Sequence, residues 1–256
     1  MNLAILQARM SSTRLPNKVL KKVNGKELLA YECERLLNAK KIDELVIATS
    51  IDATDDAIET FAIQRGIKCF RGSLNDVLAR YYECANAYKK QHEVEKINII
   101  RVTGDCPVID PAVIDEVVEY FESNECDYAS NTLVASYPDG MDIEICSFSA
   151  LEEAYHMATF KSDREHVTLY IKNEPKFKKM NYLCPHDFAH LRLTVDEEKD
   201  FMLIKDILEN LYPIKHDFSY GDIIAYMTKN PNLLFINSNI QRDEGLMKSL
   251  KEDGRL

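Results

Sequence analysis

The first 125 residues alternate between short apolar runs and helical patterns, and that alternation constrains the fold more than any other feature. LAIL at 3–6 precedes a helical pattern near 26–40. ELVIATS at 44–50 reads as a buried strand, after which Asp52 to Asp56 open a helix that ends near Arg65 and Gly66. IKCF at 67–70 leads through RGSLND into a helix over 76–91. INIIRVTGD at 97–105, continuous and β-branched, is the strongest strand pattern, and Pro111 then starts a helix running to about 123. Strands recurring at crossover spacing with helices between them predict a parallel sheet covered on both faces, an α/β fold. Such sheets take ligands at the carboxyl ends of their strands. The loops after Leu6, Phe70 and Thr103 all fall there.

The second half is less regular. MDIEICS (141–147), MNYLCP (180–185) and LRLTV (191–195) read as strands. Helices are expected near 149–158, 162–173, 197–210 and 220–229, and Tyr137-Pro138-Asp139-Gly140 marks a turn. No linker, repeat or low-complexity tract interrupts the chain. The expectation is one domain over 1–238 with an excursion at about 128–190, and a charged tail over 239–256 forming a loose terminal helix.

Charge is distributed unevenly. Residues 1–26 hold six cations and no acid, whereas the whole chain carries −10. An acidic protein lacks the broad basic face that nucleic acid needs, so a basic patch at one end points to a small anion held in place. No apolar run approaches a membrane span. Seven cysteines without a CxxC read as reduced thiols in a cytoplasmic protein. Cys184, His186 and His190 have no fourth metal ligand nearby.

The patch is QARMSSTRLPNKVL, residues 7–20. Arg9 and Arg14 offer planar donors to phosphate oxygens and Lys18 adds a compact charge. Backbone N–H groups and the hydroxyls of Ser11, Ser12 and Thr13 complete a cradle that Pro16 keeps in shape. A solvated basic turn explains the charge alone equally well. No GxxxxGK[ST] and no GxG occurs, which removes the usual ATPase and dinucleotide loops. A second motif, VTGDCPVID (102–110), puts Asp105 at the end of a buried strand, where a carboxylate is costly unless paired or holding a metal. In RLTVDEEKD (192–200), Asp196 is either a helix N-cap or a second metal ligand facing Asp105. A serine hydrolase is excluded for want of a G-x-S-x-G elbow.

Together, QARMSSTRLPNKVL, the following helix and GDCPVI resemble the cytidylyltransferases that activate acidic sugars, the synthetases of CMP-3-deoxy-manno-octulosonate and CMP-sialate. The likeness is closer to their relatives in spore-coat and surface-polysaccharide biosynthesis, which carry R-x-S-x-R-L-P-x-K and a later R-E-H-V-T. Here the pieces are Arg9, Ser11 or Ser12, Arg14, Leu15, Pro16 and Lys18, then Arg164 to Thr168, and the resemblance runs in order through roughly residues 1–200. It implies a nucleotide-diphospho-sugar-transferase fold (a Rossmann-like, mixed but mostly parallel sheet with helices on both faces), Mg²⁺, CTP as donor and a homodimer. The excursion at 128–190 would supply the dimer interface and the acceptor pocket. Cys106 stands where the octulosonate enzymes typically carry an acidic residue, and the acceptor is left open between an acidic sugar and a phosphorylated compound.

The implied roles are specific. Arg9, Lys18 and Asp105 are catalytic, and Asp105 with Asp196 holds the metal. Gln7, Ala8, Arg9, Ser12, Arg14, Lys18, Arg71 and Asp76 bind nucleotide, with Arg80 behind Asp76. Arg164 and His166 bind the acceptor. Each of Asp76, Arg80 and His166 also has a plain structural reading, as helix-end charge, surface residue or satisfied helix histidine. Two other classes remain: a nucleotide-sugar glycosyltransferase, which commonly presents an Asp-x-Asp that this chain lacks, and a non-catalytic nucleotide-binding protein.

Overall fold

The computed structural model describes residues 1–256. Nine strands run in chain order: β1 Asn2–Gln7, β2 Lys22–Val23, β3 Lys26–Glu27, β4 Glu44–Ser50, β5 Lys68–Gly72, β6 Asn98–Thr103, β7 Tyr128–Ser130, β8 Glu144–Ser147 and β9 Lys179–Asn181. Ten helices accompany them: α1 Leu28–Asn38, α2 Asp56–Gln64, α3 Val77–Gln91, α4 Pro111–Ser123, α5 Phe148–Met157, α6 Lys161–Glu165, α7 Leu169–Asn173, α8 Glu198–Leu211, α9 Tyr220–Lys229 and α10 Glu244–Glu252. Seven strands form one sheet in the order β5-β4-β1-β6-β8-β7-β9. The first four positions are parallel, β8 is antiparallel to both β6 and β7, and β9 is parallel to β7. β2 and β3 make a separate hairpin.

Both faces of the sheet are buried, as strand periodicity requires when apolar residues fill every position. On β1, Ala4 and Leu6 join a cluster with α1, α4, α8 and α9, while Leu3 and Ile5 join a second with α3, α5 and α7. Helix starts follow local chemistry. Pro111 occupies the first turn of α4, whose N-cap Asp110 accepts from Ala112 N. Asp76 caps α3 through Ala79 N.

Three expectations need correction. LRLTV at 191–195 is not a sheet strand: it meets the Pro138-Asp139-Gly140 turn through one isolated bridge, Asp139 to Arg192. The strand expected over 180–185 is reduced to the edge strand β9. The helix expected over 162–173 breaks into α6 and α7, because Val167 adopts φ 56. A β-branched residue in that region is strained and is held there by its surroundings.

Nor is the terminal helix loose. Arg255 pairs with Asp163 and Asp253 accepts from Ser162 N, fastening the end of α10 to α6, while Arg242, just ahead of α10, pairs with Asp142. All seven cysteines are free thiols. No helix is long and apolar enough to cross a membrane.

Candidate active site

Gln7 and Thr103 are partners across β1 and β6, so the loops after both strands leave the sheet side by side. Gly104 N donates to Gln7 O at 2.8 Å. A Cβ at Gly104 would lie 3.0 Å from Gln7 O and 3.2 Å from Ala8 Cβ, so this close approach favours glycine. The loop from Ala8 to Asn17 is folded on itself, with Ser12 N and Asn17 N both donating to Met10 O. Asp55, wholly buried, pins it to the end of β4 by accepting from Met10 N, Ser50 N and Ser50 Oγ.

The loop delivers Lys18 to the centre of the site. Its Nζ donates to Asp105 Oδ2 at 2.8 Å, Asp196 Oδ1 at 2.9 Å and Val195 O at 2.8 Å. Burial works to lower the Lys18 ammonium, but Asp105 and Asp196 hold it above its ordinary value. The two acid-bearing segments are also tied directly, since Val195 N and Thr194 Oγ1 both donate to Asp105 O. Burial likewise works to raise the Asp196 carboxyl, yet Lys18, Arg14 and Arg192 bring it down to about 2. Arg192 is the organiser of this corner, pairing with Asp139, Asp196 and Asp200. Asp200 in turn accepts from the backbone N–H groups of Asp196 and Glu197 and sets the start of α8.

The remaining anticipated residues fall into three groups. Arg9 is exposed and forms no ion pair, whereas Arg14 pairs with Asp196 at 3.0 Å and with Glu244 at 3.1 Å. Ser12 Oγ accepts from Leu15 N, Ala8 N donates to Ala48 O, and Gln7 Oε1 is buried without a partner. Arg71 lies on a separate open groove of about 610 Å³, held by Asp56, Glu59 and the carbonyls of Ser50 and Asp52. Arg164 is bound by Asp76 and by Tyr155 O and does not line the central cavity. Arg80 is not the surface residue of its plain structural reading: it is buried and donates to the carbonyls of Ser73, Leu74 and Ala48.

That cavity, of about 410 Å³, opens from Asp105 and Asp196 and includes Arg14, Arg101, His166 and Lys172 among its walls. Burial, then Arg101, pushes the His166 imidazole below its ordinary value. Its Nε2 lies 3.0 Å from Ser249 Oγ of α10. Glu32, fully buried on α1, accepts from Cys106 N, and burial followed by Asp105 raises its carboxyl well above the usual range. Asp55, Glu32 and Arg192 are site residues that the motifs do not mark. Only Arg192 has a visible cue, its i to i+4 spacing from Asp196.

Asp105 and Asp196 offer carboxylate oxygens, the donor type that Mg²⁺ takes. Asp105 Oδ2 and Asp196 Oδ1 already share one positive charge, the Lys18 ammonium. No three His, Cys, Asp or Glu side chains converge, so phosphate and water oxygens would complete the shell.

A mostly parallel sheet of this order, with its loops gathered at the carboxyl ends of β1 and β6, is that of a nucleotidyltransferase with the nucleotide-diphospho-sugar-transferase fold. The chain belongs to the cytidylyltransferase family, whose model, described as "Cytidylyltransferase", matches residues 3–224. It is 37% identical to an uncharacterized protein of Methanocaldococcus jannaschii, over 94% of this chain and 96% of that one. It is 34% identical to the spore coat polysaccharide biosynthesis protein SpsF of Bacillus subtilis, over 90% and 95%. The solved structure of a cytidylyltransferase from Leptospira borgpetersenii superposes with TM-score 0.84 at 33% identity, covering 94% of this chain and 98% of the other.

Proposed function

We propose that this nucleotidyltransferase moves CMP from CTP to an anionic acceptor, in an Mg²⁺-dependent reaction that releases pyrophosphate for surface-glycan synthesis. The observation that carries the reading is Lys18 held between Asp105 and Asp196, directly beside a loop bearing Arg9 and Arg14. An acceptor oxygen attacks the α-phosphorus in line. The new O–P bond forms as the bond to the bridging oxygen breaks, and the electron pair leaves with pyrophosphate while the acceptor's proton is lost. No protein nucleophile is required, so positioning and charge neutralisation supply the acceleration.

Arg9, Arg14 and Lys18 bind the phosphates and offset charge on the leaving group. Arg14 exchanges Glu244 for phosphate when nucleotide enters. Asp105 and Asp196 would hold Mg²⁺, which would supply Lewis-acid neutralisation of phosphate charge. Gln7, Ala8, Ser12, Arg71 and Asp76 serve the nucleoside side, and Arg164 steadies Asp76. The glycan context rests on the printed name of the B. subtilis relative. A homodimer through the 128–190 excursion is part of the proposal, supported by exposed Val134 and Leu183 on that segment. A monomer mass by light scattering would remove it.

Melting with CTP, UTP, GTP and ATP, each with and without Mg²⁺, tests the donor. At about 100 times its Kd, CTP adds roughly 2.7 kcal/mol, which is about 5–11 °C for a chain of this size. The rise should be largest for CTP and should need Mg²⁺ for its full extent. A larger rise with another nucleotide would replace the donor.

A further inference from the structure

The segment around α10 walls the central cavity without sharing in either core. Asp243, Glu244, Gly245 and Leu246 line the cavity, yet no residue after Ile236 joins an apolar cluster or packs against one. The segment also lies beyond residues 3–224, the part that the family model matches. Within α10 only Ser249 is buried, and the ties to the body are polar. Arg242 pairs with Asp142 and donates to Tyr137 O. Ser249 Oγ lies 2.9 Å from Glu165 Oε2 and 3.0 Å from His166 Nε2, so two side chains of the Arg164 to Thr168 run serve this helix. Asp253 accepts from Ser162 N at 2.6 Å, and Arg255 pairs with Asp163 at 2.7 Å. A helix fastened by such contacts belongs to the part of a fold that opens most readily.

Inside the cavity, α10 presents a carboxylate to the phosphate loop. Arg14 Nη1 donates to Glu244 Oε2 at 3.1 Å, while its Nη2 faces Asp196 Oδ1 at 3.0 Å. The Arg14 and Glu244 side chains are 38% and 43% exposed, so water weakens the pair and a more highly charged anion displaces it. A guanidinium takes carboxylate and phosphate oxygens with the same fork of donors. Glu244 and a phosphate cannot both sit there, because each repels the other and Asp243 adds a second negative charge beside them.

We propose that residues 242–255 form a strap over the site, closed by Glu244 on Arg14 in the place of nucleotide phosphate and released when phosphate arrives. The proposal rests on the phosphate-binding role given to Arg14 above and adds its coupling to α10. That coupling is reciprocal: the factor by which Glu244 weakens phosphate binding is the factor by which bound phosphate weakens closure of the strap. Because the same segment walls the cavity, nucleotide binds first and opens the way for the acceptor. Glu165 and His166, through Ser249, set how firmly the strap is held.

Inorganic tripolyphosphate, which carries no base, tests the strap whichever nucleotide is the donor. Calorimetry should show Glu244→Gln binding it about two- to fivefold more tightly than the wild type, the worth of one partly exposed ion pair. At saturation it should speed amide hydrogen exchange over residues 244–252 of the wild type by the same factor and leave the rate in Glu244→Gln unchanged. Equal affinities overturn the proposal, as does wild-type exchange that stays constant or slows. Should Glu244→Gln fail to fold, the wild-type exchange alone decides. Tripolyphosphate that binds without altering exchange removes the strap and leaves the phosphate loop. No binding by either protein removes the loop and the release mechanism with it. A melt without any CTP response, alongside faster exchange with tripolyphosphate, removes the donor and keeps the strap.

Discussion

Asp105→Asn is expected to lower CTP-dependent pyrophosphate release by roughly 10²–10³-fold or more, the range seen when one group stabilising transition-state charge is removed. The substitution keeps the size of the side chain and removes only its charge. Two of the three acceptors of Lys18 Nζ remain, Asp196 Oδ1 and Val195 O. The backbone ties from Val195 N and Thr194 Oγ1 to residue 105 O do not depend on the side chain. The nearby Glu32 carboxyl, raised in part by Asp105, is relieved of a like charge. Melting should therefore shift by no more than about 2–4 °C, the equivalent of 1 kcal/mol in a chain of this size. Steady-state release measured with an active acceptor, together with a melt, separates the outcomes. Retained activity would remove Asp105 from the chemistry. Lost activity with a large drop in melting temperature would make it a structural residue.

The legible parts of this chain are those whose signal is local. ELVIATS is β4 residue for residue, and Pro111 begins α4, because β-branched runs and a proline at a helix start carry their own conformational bias. The motif residues at strand ends are legible too. Lys18 and Asp105 come together because a parallel sheet gathers its loops at one edge, and Asp196 joins them through the bonds from Val195 N and Thr194 Oγ1 to Asp105 O. What the sequence hides depends on distant partners. LRLTV has a strand's composition, but its neighbour is the Asp139 turn and not a sheet edge. The helix pattern over 162–173 is overruled around Val167, where Thr168 Oγ1 reaches Glu144 and His166 meets Ser249. Arg101 lies inside a run that reads as a strand, and Lys172 inside one that reads as a helix. Neither has a spacing that reveals their shared contact with Glu144.

The same non-local logic makes Gly140 the most sensitive backbone position in the site. It adopts φ +104, a conformation L side chains rarely take, at the end of the Tyr137-Pro138-Asp139 turn. A Cβ there would lie 2.6 Å from Leu193 C, 2.7 Å from Leu193 O and 2.8 Å from Thr194 N. All three are backbone atoms, so no side chain can swing aside to make room. Gly140→Ala must push the 191–195 segment away from the turn and strain its own φ. A cost of roughly 3 kcal/mol or more is expected, the sum of backbone strain and overpacking. That corresponds to a fall in melting temperature of about 6–12 °C. Activity should fall as well, because the displaced segment is the one that aims the acids. Asp139 N donates to Leu191 O and Leu193 N to Asp139 O, so separating the segment from the turn strains both bonds. The shift would carry Arg192 off its partners Asp139 and Asp196, and with it Val195 off Asp105. CTP with Mg²⁺ should then stabilise the variant less than the wild type, a loss that a purely structural defect elsewhere would not produce. A variant that melts within about 2 °C of the wild type, less than 1 kcal/mol, and keeps its full CTP response would show that the segment is free to yield, and would remove Gly140 from the support of Asp196.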